Sequence, residues 1–162
     1  MQLQPGQKAP PFSLYDTRKN KVSLEDFKGS PVILLFFPLA FTSVCTKELC
    51  SVRDNIATYN KAKATVLGIS VDSLYTLAKF KEDQHLNFDL LSDFNKEVSA
   101  NYDSLYDLFS YDMKGVSKRA AFVIDEEGMI LHSEVLENAG EVPNFEAIIS
   151  VLNSLYKEKL NL

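Results

Sequence analysis

The 162-residue sequence predicts an α/β fold, a three-layer domain with a central mixed sheet and an N-terminal β-hairpin. Three observations predict it. Continuous apolar runs at 31–37 and 65–71 have the Val, Ile and Leu content of strands buried on both faces. Segments with apolar residues at helical spacing alternate with them. A late pair of apolar runs brackets Asp125, Glu126, Glu127 and Gly128, a turn that joins antiparallel strands.

Each element follows from its residues. Residues 12–15 and 21–23 flank a polar stretch at 16–20 and read as the hairpin. Ser23 with Asp26 three residues later predicts a capped helical turn closed by Gly29. After the first buried strand, Val44, Leu49, Val52, Ile56 and Tyr59 predict a helix over 43–60. The second buried strand precedes a helix over 73–85, a short strand at 88–91 and a helix near 95–102. The late hairpin uses 120–124 and 129–132. Pro143 opens a last helix with Phe145, Ile148, Ile149, Leu152 and Leu155 on one face. This order of elements is the thioredoxin-like arrangement. No repeat or Gly/Ser/Pro-rich linker divides the chain, so residues 1–162 read as a single domain.

Composition narrows the function classes. With 46% hydrophobic and 24% charged residues the chain is an ordinary globular one. A net charge of −5 and scattered lysines and arginines oppose a nucleic-acid partner, which favours a basic patch. The first residues lack a basic and apolar leader, and no apolar run is long enough to span a membrane. A cytoplasmic address is therefore expected. Two cysteines do not make a disulfide scaffold, and in a reducing compartment a thiol is either inert packing or redox chemistry.

The chemistry concentrates at the end of the first buried strand. Pro38 ends that strand, a short loop follows, and Cys45 falls in the first turn of the next helix. There the unsatisfied amides and the positive end of the helix dipole favour a thiolate over a thiol. Thr42, three residues earlier, can bring a hydroxyl beside the sulfur, both donating and accepting. A lone buried cysteine is more often a small hydrophobe. The surrounding pattern decides otherwise.

Pro38-x-x-x-Thr42-x-x-Cys45, directly after an apolar strand, resembles the signature of the peroxiredoxins, the alkyl hydroperoxide reductase and thiol-specific antioxidant family. The resemblance runs from Pro5-Gly6-Gln7-Lys8-Ala9-Pro10-Pro11-Phe12 to the late hairpin and includes Arg119, just before the strand at 120–124. It implies that the Cys45 thiolate attacks the terminal oxygen of a hydroperoxide and becomes a sulfenic acid. It also implies that Arg119 supplies a permanent positive charge favouring the thiolate and holding the peroxide oxygens. Thr42 and the Cys45 amide would then stabilise charge on the leaving oxygen. Apart from the resemblance, Arg119 reads equally as a surface ion-pair partner.

Cys50 lies about 7.5 Å along a helix from Cys45 and roughly 140° around it, with Cα atoms about 8.6 Å apart. That exceeds the roughly 7 Å a disulfide spans, so a bridge needs local unwinding. Cys45-Thr-Lys-Glu-Leu-Cys50-Ser-Val-Arg53-Asp54 resembles the bacterioferritin comigratory protein subgroup, which resolves its sulfenate with a cysteine at this spacing. Residues 36–42 instead resemble a one-cysteine group common in actinobacteria. Cys50 is therefore either the resolving cysteine or a packed helix residue.

Other candidates carry less. His85 and His132 are not at metal-ligand spacing, so neither metal nor other cofactor is expected. There is no Cys-x-x-Cys pair and no phosphate-binding glycine loop. Glu48 reads as half of a solvated ion pair, Arg53 as a residue beside the site or at a subunit contact, and Phe37, Phe41 and Phe80 as core by default, with a peroxide-pocket wall or a subunit contact as the alternatives. The expected function is a thiol peroxidase acting on hydrogen peroxide and organic hydroperoxides, recycled by thioredoxin or a similar dithiol, as a monomer or homodimer. The alternative with the same residues is a peroxide-sensing redox relay that oxidises a partner protein.

Overall fold

The computed structural model describes residues 2–160. Seven strands form one mixed sheet in the order β2-β1-β5-β4-β3-β6-β7. The hairpin β1 (Ser13–Asp16) and β2 (Lys21–Ser23) is antiparallel and joins the sheet through β5. A 3₁₀ turn, Leu24–Phe27, follows, with the Ser23 amide donating to Asp26 Oδ2 at 2.9 Å. The central strands β3 (Val32–Phe36), β4 (Thr65–Ser70) and β5 (Asp89–Ser92) run parallel. Strand β6 (Arg119–Ile124) pairs antiparallel with β3 and with β7 (Ile130–Leu136).

Strict alternation along β3 and β6 divides the interior into two cores. Ile33, Leu35 and Phe37 with Ala121 and Val123 face Leu49 and Val52 of α1 (Ser43–Asp54), Leu77 and Phe80 of α3 (Leu74–Gln84), and Ile148 and Leu152 of α5 (Phe145–Leu160). Val32, Leu34 and Phe36 with Phe122 and Ile124 pack on the other face against Val98 of α4 (Glu97–Asn101), Tyr102 and the N-terminal Phe12. Helices cover one face, and α4 with the N-terminal segment covers the other. This is the expected three-layer, thioredoxin-like α/β architecture. Arg119 shares strand parity with Ala121 and Val123, so its side chain enters the same layer as α1.

Two local features matter for the site. Gly68 in β4 permits a close approach, since a Cβ there would lie 2.6 Å from the Leu90 side chain. The helix expected over 43–60 is two helices, α1 and α2 (Ile56–Lys61). The break falls at Asn55, whose side-chain amide donates to the Ser51 carbonyl and competes with the backbone ladder. Among the described residues, no helix is long and apolar enough to cross a membrane.

Candidate active site

The site is built on the loop between β3 and α1. Buried Pro38 leaves the strand, and the Ala40 amide donates to Asp72 Oδ2 at 2.8 Å. Phe41 then takes a φ of 67°, a left-handed conformation costing a non-glycine residue about 1–2 kcal/mol. A hydrogen bond contributes about 0.5–1.5 kcal/mol, so the Ala40–Asp72 bond offsets much of that strain. Thr42 is the extended N-cap of α1, and its carbonyl accepts from both the amide and the hydroxyl of Thr46. The Thr42 hydroxyl donates to the Leu39 carbonyl at 2.7 Å. Its proton is committed there, so the oxygen is left with acceptor lone pairs.

Cys45 is the third residue of α1, at the helix end where amides lack intrahelical partners, and it is 1% exposed. Its sulfur lies 3.3 Å from Arg119 Nη2. Arg119 is itself buried, its guanidinium fixed at three edges. Nη1 donates to Glu48 Oε1 at 2.8 Å, while Nε and Nη2 donate to the Ala139 carbonyl at 3.2 and 2.8 Å. Burial works against this charge, but the Cys45 sulfur and the Glu48 carboxyl outweigh it and hold the proton more firmly than usual. Glu48 is pushed up to about 7 by its burial, against the pull of Arg119. Its Oε2 has no hydrogen-bond partner among the described residues.

The structure brings Cys45 and Arg119 together, from segments 74 residues apart. Pro38 and Thr42 stand in the loop that leads to Cys45. Cys50 points elsewhere: it is half-buried, and its thiol lies 3.4 Å from Gln84 Oε1 at the end of α3. Both cysteines are free thiols in one continuous helix. Beside Cys50, Arg53 Nη1 donates to the Gln84 carbonyl at 2.5 Å, and Asn87 Nδ2 donates to the Arg53 carbonyl at 3.2 Å.

Two sequence expectations are corrected. Glu48 is not solvated. At three residues from Cys45 it shares that helix face, and the buried Arg119 charge draws it inward. Phe41 is not core. Its left-handed turn leaves it 51% exposed, edge-on to buried Phe80 with ring centroids 5.1 Å apart. Phe37 and Phe80 are fully buried, as expected. The Ala139 carbonyl and Asp72 went unnoticed in the sequence. The helical spacing to Cys45 could have flagged Glu48; a backbone carbonyl leaves no residue-type signal.

The model of the AhpC/TSA family matches residues 5–133. The chain belongs to the AhpC/TSA family. Among its relatives, peroxiredoxin Bcp of Escherichia coli (strain K12) is 40% identical over 134 residues, covering 80% of this chain and 84% of that one. Among solved structures, peroxidoxin BcpB from Mycobacterium tuberculosis aligns with a TM-score of 0.83 at 28% identity, covering 94% and 97% of the two chains. Reduced 2-Cys peroxiredoxin of Plasmodium vivax aligns with a TM-score of 0.82 at 28% identity, covering 96% and 83%. As a peroxiredoxin the chain is a thiol-dependent peroxidase, an oxidoreductase. Membership of the family implies a hydroperoxide substrate and a thiol reductant.

Proposed function

We propose that Cys45 is the peroxidatic cysteine, reducing hydrogen peroxide and organic hydroperoxides. The observation that carries this reading is the 3.3 Å contact between the Cys45 sulfur and the buried Arg119 guanidinium at the start of α1. The sulfur attacks the terminal oxygen of ROOH, an S–O bond forms, and the O–O bond breaks. Sulfur gives up two electrons and becomes a sulfenic acid, and RO⁻ takes a proton and leaves as ROH. Arg119 and the Cys45 amide stabilise negative charge as it moves onto the leaving oxygen. Thr42 accepts a hydrogen bond from the peroxide hydroxyl, and Pro38 fixes the loop that holds Thr42.

Cys50 then resolves the sulfenate. Its thiolate attacks the Cys45 sulfur, the disulfide forms, and the oxygen leaves as water. A dithiol protein, thioredoxin or a similar one, exchanges with the disulfide and is itself oxidised. The five-residue spacing and the accessible edge of Cys50 support this assignment. Cys45→Ser is expected to abolish peroxide consumption; Arg119→Ala should slow it by roughly 100-fold, the scale of losing one stabilising donor, and Thr42→Val should slow it steeply by removing the acceptor that orients the peroxide. Near-normal turnover by Cys45→Ser in a peroxide-consumption assay rejects the assignment. Peroxide-treated wild type should be two mass units lighter by intramolecular disulfide; a Cys50 that stays alkylatable assigns a one-cysteine cycle instead.

A further inference from the structure

We propose that Asp72 is a positioning residue for peroxide reduction, acting through the loop at 38–42. The inference rests on the reading of Cys45 as the peroxidatic thiol. Asp72 lies two residues beyond β4, and among the described residues no hydrogen bond joins it to Cys45 or Arg119. Its Oδ2 accepts the Ala40 amide at 2.8 Å and the Ser70 hydroxyl at 2.6 Å, so the carboxylate is oriented by the last residue of β4. The Asp72 amide donates back to Ser70 Oγ at 3.2 Å, and its carbonyl accepts the Ser92 hydroxyl at 2.6 Å. Ser92 is the last residue of β5, so the anchor is tied to the ends of two adjacent parallel strands. A rigid frame thus grips the middle of the loop across 32 residues of sequence.

The grip falls where the loop needs it. Ala40 is buried and immediately precedes Phe41, whose left-handed φ reverses the chain into Thr42. Thr42 turns its hydroxyl back onto Leu39, on the other side of Ala40. Without the Asp72 acceptor, Phe41 can relax to a right-handed conformation, and the loop that sets Thr42 as the N-cap of α1 then loses its register. A single polar tie therefore converts strand geometry into the placement of the Thr42 acceptor and the first turn of α1. Acceptance, not charge, is the property required, because the partner is a neutral amide.

Four variants test this by stopped-flow peroxide reduction, with alkylation of Cys45 by iodoacetamide as a readout of general thiol reactivity. Asp72→Ala should lower the second-order rate with peroxide at least 10-fold without slowing alkylation. Asp72→Asn keeps an acceptor oxygen and should recover the rate to within about 3-fold of wild type. Thr42→Val/Asp72→Ala should lose no more than 2-fold beyond Thr42→Val, because both act at one place. Ser70→Ala, which removes the hydroxyl that meets both the carboxylate and the amide of Asp72 but leaves the Ala40 tie, should lower the rate 2- to 5-fold. That variant decides the matter if Asp72→Ala does not fold. Wild-type rates in Asp72→Ala or Ser70→Ala, equal losses of peroxide and iodoacetamide reactivity, or an Asp72→Asn as slow as the alanine variant would each overturn the proposal. Cys45→Ser measured alongside separates the two readings. Persisting activity there rejects the site itself, whereas full loss there with an unaffected Asp72→Ala rejects only the anchor.

Discussion

Glu48 is a buried carboxyl whose charge is answered by one guanidinium, that of Arg119 at 2.8 Å. Desolvation dominates that attraction and raises the group from 4.5 to about 7. The unsatisfied Oε2 agrees with this, since an orphaned buried oxygen costs more on a carboxylate than on a neutral acid. Between the two values the folded chain holds a proton that the unfolded chain releases, so Glu48 supports the fold below pH 4.5 and loses that contribution as pH rises through 7. The scale is on the order of 3 kcal/mol. Glu48→Gln retains an oxygen for Arg119 and does not titrate. Urea midpoints at pH 5 and pH 8 should therefore fall with pH more steeply in wild type than in Glu48→Gln. Equal slopes would show that Glu48 stays ionised throughout. Reading Glu48 as solvated followed from glutamate's usual habit; its true place depended on where Arg119, 71 residues away, sends its charge.

At the scale of the element, a folded α1 and a Cys45–Cys50 bridge are incompatible. Folded, α1 directs Cys45 to Arg119 and Cys50 to Gln84, on different sides of the helix. A Cys45–Cys50 bridge needs that turn to unwind, because i and i+5 positions on a helix are about 8.6 Å apart. The C-terminal turn is pinned by Arg53 on the Gln84 carbonyl and Asn87 on the Arg53 carbonyl, which would set where such unwinding stops. Hydrogen exchange on oxidised protein should accordingly show lost protection at 45–50 and retained protection from Arg53 onward. Equal protection of 45–50 in both redox states, with the disulfide confirmed by mass, would show that no unwinding is needed. The apolar spacing of this helix was legible in the sequence and its first-turn cysteine with it. The break at Asn55 was not, because Leu49, Val52, Ile56 and Tyr59 keep helical spacing across it while a single side-chain hydrogen bond ends the ladder.

For the whole molecule, the layers were legible because β3 and β4 are buried on both faces and so read as unbroken apolar runs. The motif at Pro38, Thr42 and Cys45 was legible because it is local. Cys45 with Arg119 was expected only through the family resemblance, and the other contacts set by chain crossing escaped: Glu48 with Arg119, Arg119 with the Ala139 carbonyl, and Ala40 with Asp72. Those crossings also determine how oxidation bears on global stability. A disulfide closing a six-residue loop stabilises by about 2 kcal/mol through the unfolded chain. Unwinding 45–50 takes fully buried Leu49 out of the core, a loss of about 2–3 kcal/mol by itself. It also removes both Cys45 and Glu48 from Arg119, leaving that buried cation with the Ala139 carbonyl, and stripping a buried charge of its partner costs about 3–5 kcal/mol. The losses exceed the gain. Oxidised protein should therefore melt below reduced protein, by about 5 °C or more at 2–4 °C per kcal/mol for a chain of this size, as read by calorimetry on samples of confirmed redox state. An oxidised form melting at or above the reduced one would mean that the bridge is accommodated with Leu49 and the Arg119 cluster still packed.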